Sequence, residues 1–170
     1  LWGFAGSPVI HEGVVVVQAD VLNGSFLATF DVDTGEKVQI EADQFPNPWS
    51  LTHTRWRQDS TTFYFLYNQR GHQIFRLIAV DADSGQSTIV FSERSSTFID
   101  YSQKMYLHWL NDDELVWMSE RDGWNHLYLY NVVNRKLHHQ ITSGQWGIRQ
   151  VEHIDAKNRQ IWFQASGDGF

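Results

Sequence analysis

The 170-residue chain contains no cysteine, so disulfides, thiolate zinc sites, iron–sulfur clusters and cysteine nucleophiles are all excluded. Proline occurs only three times, and charged residues make up only 19% of the sequence. The longest purely aliphatic run, at 14–17, is far short of the ~20 residues that span a bilayer. Among the charges, Lys and Arg (13) are outnumbered by Asp and Glu (20), a formal net charge of −7. That field opposes binding of nucleic acid or anionic lipid. Neither a Gly-x-Ser-x-Gly elbow, nor a phosphate-binding glycine loop, nor a His-Glu-x-x-His pair occurs in the sequence. The absence of cysteine fits cytosol and periplasm alike.

Aromatic residues are abundant. Eight Trp, six Tyr and eleven Phe make up 15% of the chain. Many fall in short β-branched or aromatic runs separated by Gly, Asn and Asp, such as Phe63-Tyr64-Phe65-Leu66-Tyr67, Leu115-Val116-Trp117-Met118 and Leu127-Tyr128-Leu129-Tyr130. Residues of this kind suit pleated, half-buried surfaces, and no twelve-residue stretch has a capped 3.6-residue apolar stripe. The expected class is all-β.

Internal repetition narrows the class further. Asp31-Val32-Asp33-Thr34-Gly35 returns as Asp81-Ala82-Asp83-Ser84-Gly85, and Gly71-His72-Gln73-Ile74-Phe75 is answered by Gly123-Trp124-Asn125-His126-Leu127. A period of ~50 residues with several strands per repeat predicts four-stranded antiparallel β-propeller blades. The expected organisation is one partial propeller over 1–170, with blades near 7–41, 51–93 and 106–142 and an incomplete one at 151–165. Three and a half blades fall short of a closed ring of 4–8. The chain is therefore expected to be part of a larger propeller, or to complete a ring by association as a homo-oligomer.

Each motif has a plain structural reading. Asp-x-Asp-x-Gly lacks the further ligands of a calcium loop, and a tight Asp-Gly turn accounts for it. Asn23-Gly24-Ser25 is a formal glycosylation sequon and also a hairpin turn signal; the turn is the reading adopted. Adjacent His138 and His139 on a strand should point to opposite faces, which prevents shared metal ligation. His72 and His126 read as structural hydrogen-bonding residues. Arg121 with Trp124 could hold a carboxylate or peptide main chain, or Arg121 with Glu120 or Asp122 could form an ion-pair network between blades. Phe98 and Tyr101, in a connection between blades, could line a channel or plug the blade interface.

From about Asp43 onward the sequence resembles the N-terminal propeller region of the dipeptidyl peptidase IV family of serine peptidases. The resemblance rests on Phe45-Pro46-Asn47-Pro48, Tyr67-Asn68-Gln69-Arg70-Gly71-His72-Gln73 and Thr97-Phe98-Ile99-Asp100-Tyr101. It is strongest in Trp117-Met118-Ser119-Glu120-Arg121-Asp122-Gly123-Trp124-Asn125-His126-Leu127-Tyr128-Leu129-Tyr130, and Ile141-Thr142-Ser143-Gly144-Gln145-Trp146 continues it. It implies that an eight-bladed propeller gates peptide access to a C-terminal α/β-hydrolase domain carrying a Ser-Asp-His triad, in a periplasmic or secreted parent. The whole enzyme would cleave after a penultimate proline or alanine. This chain lacks the hydrolase motif and the family's paired glutamates. The resemblance therefore supplies no catalytic, cofactor-binding or metal-binding residue. Phe98, Tyr101, Arg121 and Trp124 are the candidates for a cavity wall touching substrate. The alternative is a stand-alone or chimeric propeller-like scaffold without chemistry. Over residues ~1–30 the sequence resembles a quinoprotein-like (PQQ-type) propeller repeat, without implying a quinone cofactor.

Overall fold

A computed structural model describes residues 9–11, 13–19 and 26–167. Asn23-Gly24-Ser25 and about half of the quinoprotein-like stretch lie outside them. The described residues form fourteen β-strands and no helix. The chain divides into two compact units, Leu1–Phe98 and Ile99–Phe170.

The first unit holds two four-stranded antiparallel sheets. One is β1 (Val9–His11), β2 (Val14–Ala19), β3 (Phe26–Asp31) and β4 (Lys37–Val38). The other is β5 (Pro48–Trp56), β6 (Thr62–Gln69), β7 (Ile74–Asp81) and β8 (Ser87–Arg94). Strand order follows chain order in both, giving the up-and-down meander of a propeller blade. Strand β6 is buried from Phe63 to Asn68, on both faces, which explains the continuous apolar and aromatic run Phe63–Tyr67. Phe63, Phe65 and Tyr67 share one face with Leu51, Ile78 and Val80, and pack with Val16, Ile40 and Phe45. The segment before β5 is tied over this sheet. Phe45 meets Phe65 edge-on at 5.1 Å, Tyr67 donates its hydroxyl proton to the Pro46 carbonyl, and Arg76 Nη1 donates to the Gln44 carbonyl at 2.5 Å.

The second unit holds β9 (Leu107–Trp109), β10 (Glu114–Ser119), β11 (His126–Asn131) and β12 (Lys136–Gln140) in one sheet. A two-stranded sheet, β13 (Gly147–Asp155) and β14 (Gln160–Ser166), accompanies it. Cross-strand pairing divides the central strands by face. Val116 opposite Leu129 and Met118 opposite Leu127 point toward Ile148, Val151, Ile154, Ile161 and Phe163. Leu115 opposite Tyr130, Trp117 opposite Tyr128, and Ser119 opposite His126 occupy the other face.

The repeated aspartate turns join the last two strands of their sheets. Asp31 Oδ1 accepts hydrogen bonds from the Asp33 and Thr34 amides at 3.0 and 2.7 Å, and from the Thr34 hydroxyl at 2.8 Å. Asp81 Oδ1 accepts from the Ser84 amide and hydroxyl at 2.8 and 2.7 Å. Gly35 and Gly85 close these turns at φ 70° and 71°. The structure adds two copies that the sequence disguises. Asn131 Oδ1 accepts from the Asn134 amide, and Asp155 Oδ1 from the Asn158 amide, with Arg135 and Arg159 at φ 56° and 58° where the other copies have glycine.

Strict alternation fails at one expected position. The β11–β12 register shifts between Leu129 and Tyr130, which pair with His139 and Leu137 and leave His138 as the extra residue. That bulge brings the His138 and His139 rings to 5.1 Å, so they do not diverge to opposite faces. Among the described residues, no group of three or more His, Asp or Glu is placed to hold a metal ion.

Candidate functional site

In a four-stranded meander, the start of the first strand, the turn between the second and third, and the exit from the fourth converge at one end of the sheet. In the first unit these are Trp49, the Arg70-Gly71-His72-Gln73 turn and the 95–98 exit. The turn and the exit are stitched together. The Ser95 amide donates to the Gln73 carbonyl at 3.0 Å, and Gln73 Nε2 donates to the Ser96 carbonyl at 3.1 Å. His72 Nδ1 lies 3.0 Å from Asn68 Oδ1, which fixes its ring between two others. Trp49 meets it edge-on at 5.2 Å, Phe98 at 5.5 Å, and the Arg70 guanidinium stands 5.4 Å from the Trp49 ring. Trp49 and Phe98 are 48% and 51% exposed, unusual for rings of this size. Phe98 was thus legible as a candidate, but its partners Trp49 and Arg70 were not. The Arg-Gly pairing of the repeat and a tryptophan beginning a strand were the available signals.

The equivalent end of the second unit is built differently. Tyr101 sits half-buried in a turn where Asp100 Oδ1 accepts from the Ser102 and Gln103 amides at 3.2 and 3.1 Å. Arg121 folds back on its own sheet. Its Nε donates to Ser119 Oγ at 3.0 Å and its Nη1 to Tyr130 Oη at 2.6 Å, with the guanidinium 4.5 Å from the Tyr128 ring. The neighbouring acids have other partners: Lys104 Nζ donates to Glu120 at 2.6 Å and Gln140 Nε2 to Asp122 at 2.6 Å. Burial opposes ionisation of Asp122, but the bonds from Gln140 and the Trp124 amide outweigh it and hold the carboxyl below its ordinary pKa. Trp124 is 42% exposed at the tip of the turn. The structure therefore keeps Arg121 and Trp124 in one turn, with the cation of Arg121 engaged by its own sheet.

His126 is fully buried beneath this turn. Its Nδ1 lies 3.1 Å from Thr142 Oγ1 and its Nε2 3.1 Å from the Gly144 carbonyl. A ring protonated at Nε2 donates to that carbonyl and accepts the threonine hydroxyl, while Thr142 Oγ1 accepts the Leu127 amide at 3.1 Å. The Trp146 indole meets the ring edge-on at 4.9 Å and stacks on Phe163. A groove of about 410 Å³ also opens in this unit over Val116, Leu129, Ile141, Ile154 and Phe163. Its charged rim is internally paired: Arg159 donates to Glu114 at 2.7 Å, and Asn158 Nδ2 to Asp155 at 2.7 Å.

The family model described as dipeptidyl peptidase IV (DPP IV) N-terminal region matches residues 26–169. The chain belongs to that family. The match begins upstream of Asp43 and takes in the first aspartate turn. Among relatives, "Probable dipeptidyl peptidase 4" of Arthroderma benhamiae is 30% identical over 143 residues, covering 80% of this chain and 18% of that protein. "Dipeptidyl peptidase 4" of Trichophyton rubrum is 26% identical with the same coverage. The crystal structure of Porphyromonas gingivalis dipeptidyl peptidase 4 superposes with a TM-score of 0.65 at 16% identity, over 83% of this chain and 20% of that one. That likeness establishes a shared fold, the β-propeller blade. The chain spans less than a fifth of the length of these two curated relatives.

Proposed function

We propose that this region is the non-catalytic propeller portion of a dipeptidyl-peptidase-IV-like serine peptidase, gating peptide access to an α/β-hydrolase domain elsewhere in the longer protein. The observation that carries this reading is the gathering of exposed aromatic side chains, Trp49 and Phe98, at one end of a blade within a DPP IV N-terminal-region sequence. Exposed rings on rigid strand ends suit contact with the apolar body and main chain of a passing peptide. Bond cleavage after a penultimate proline or alanine belongs to the Ser-Asp-His triad of the hydrolase domain. Phe98 is the first unit's contact to the peptide, Tyr101 and Trp124 are those of the second unit, and Arg121 holds its own turn. The same reading puts the parent protein in the periplasm or outside the cell.

The test is kinetic. In the parent peptidase, Phe98→Ala with Tyr101→Ala should leave kcat on a small Xaa-Pro chromogenic substrate within about twofold. The kcat/KM ratio between that substrate and a ten-residue peptide should change several-fold. An unchanged ratio overturns the gating role. Hydrolysis of the chromogenic substrate by the purified 170-residue chain overturns the non-catalytic assignment.

A further inference from the structure

The Trp49–Arg70–His72–Phe98 row has one feature that a simple cavity wall does not require. Among the described residues, no carboxylate or carbonyl accepts a hydrogen bond from the Arg70 guanidinium, which rests only against the Trp49 ring. A guanidinium carries five donors in a planar fork suited to a carboxylate. The backbone around it is set with care. The Arg70 amide donates to the Asn47 carbonyl at 3.1 Å, and Asn47 and His72 both hold left-handed conformations, φ 50° and 55°. Such conformations are costly for residues other than glycine and persist where surrounding bonds impose them. Here they hold the guanidinium, indole, imidazole and phenyl in one row.

From this geometry we infer that the row is a subsite for an acidic side chain of an extended peptide. The carboxylate pairs with the Arg70 fork at the Trp49 end of the row, and an apolar side chain two positions along, on the same face of the extended peptide, lies against Phe98. Successive rings of the row lie 5.2 and 5.5 Å apart, near the ~6.6 Å between side chains two residues apart on one face of an extended chain. The one guanidinium of the row, on a chain of net charge −7, suits one carboxylate and opposes a polyanion such as nucleic acid. The inference rests on the gating reading for its peptide; the site itself is tested separately, by binding to this chain alone.

The experiment is an NMR titration of the ¹⁵N-labelled 170-residue chain with acetyl-Glu-Ala-Phe-amide and acetyl-Gln-Ala-Phe-amide, whose acid or amide and phenyl group share one face when extended. It follows the Trp49 indole N–H, assigned by its loss in Trp49→Phe. The glutamate peptide should shift that signal saturably and bind roughly tenfold more tightly than its glutamine counterpart. Arg70→Ala should erase the difference, Arg70→Lys should recover part of it, and added salt should weaken it. Arg70 is exposed, so these variants keep the fold, which unchanged amide spectra away from the turn will verify. Equal affinity for the two peptides, an unaltered preference in Arg70→Ala, or no shift at millimolar peptide overturns the assignment. Sodium acetate binding as tightly as the glutamate peptide also overturns it, because the aromatic row would then contribute nothing. A successful titration alongside unchanged length selectivity in the parent enzyme would remove the gating reading and leave the subsite standing.

Discussion

Arg121 donates from Nη1 to the phenol oxygen of Tyr130 at 2.6 Å, nine residues along the chain, and so closes its turn over the strand that follows. Two strands, β10 and β11, meet beneath that guanidinium, and Ser119 and Tyr128 complete its surroundings.

Arg121→Ala should therefore lower stability by about 1–2 kcal/mol, from lost hydrogen bonds and a lost cation–ring contact. Arg121→Lys should recover less than half, since an ammonium cannot reach Ser119 and Tyr130 while lying flat on Tyr128. Urea denaturation midpoints check both. Wild-type stability in Arg121→Ala would show that the clamp carries no weight.

Gly35 and Gly85 occupy the same place in the two aspartate turns, with φ 70° and 71°, yet alanine should be tolerated very differently. A Cβ on Gly35 meets open space, whereas one on Gly85 would lie 2.2 Å from the Gln39 carbonyl oxygen. Gly35→Ala should cost roughly 1 kcal/mol of backbone strain. Gly85→Ala should cost at least about 2 kcal/mol more, because the turn must move off the preceding segment. Thermal melts of the pair would measure the difference.

Arg135 holds a left-handed conformation at the position where two sister turns have glycine. Its side chain is exposed, so Arg135→Gly should relieve strain and raise stability by about 0.5–1 kcal/mol. A lowered denaturation midpoint would contradict this account of the turn.

The turn carboxylates carry a pH signature. Hydrogen bonds from the Thr34 amide and hydroxyl hold Asp31 below the ordinary aspartate pKa, and the Ser84 hydroxyl and amide do the same for Asp81. A depressed folded-state pKa contributes stability that is present above the unfolded value and lost as pH falls through the folded one. The Asp31→Asn, Asp81→Asn double variant should thus show a shallower loss of stability below about pH 4 than wild type. Between pH 5 and 7 the two curves should run parallel. Asn131 already holds this turn as an amide in the second unit, so the variant keeps the geometry. Identical acid limbs would refute the assignment.

Much of the fold was legible because the middle strands β6, β10 and β11 are buried on both faces and advertise it. The runs containing Phe63, Val116 and Leu129 are apolar without interruption. The outer strands were harder. Strand β12, Lys-Leu-His-His-Gln, is mostly exposed, and β9 has three residues; neither carries a periodicity beyond chance. Among the copies of the repeated turn, those at Asn131 and Asp155 were hidden for a related reason: arginine in a left-handed conformation has no sequence signature. For the candidate site, Phe98 stood out as an aromatic in a connection. Its association with Trp49 depends on which strand ends the meander brings together, and Trp49 and Phe98 are 49 positions apart in the sequence.

Every strand in these sheets pairs only with its neighbour along the chain, across connections of modest length. The entropy lost in closing each hairpin is correspondingly small, and no pairing waits for a distant segment to arrive. A chain of this kind can acquire its structure progressively during synthesis, hairpin by hairpin, and a faulty turn delays only the sheet that contains it.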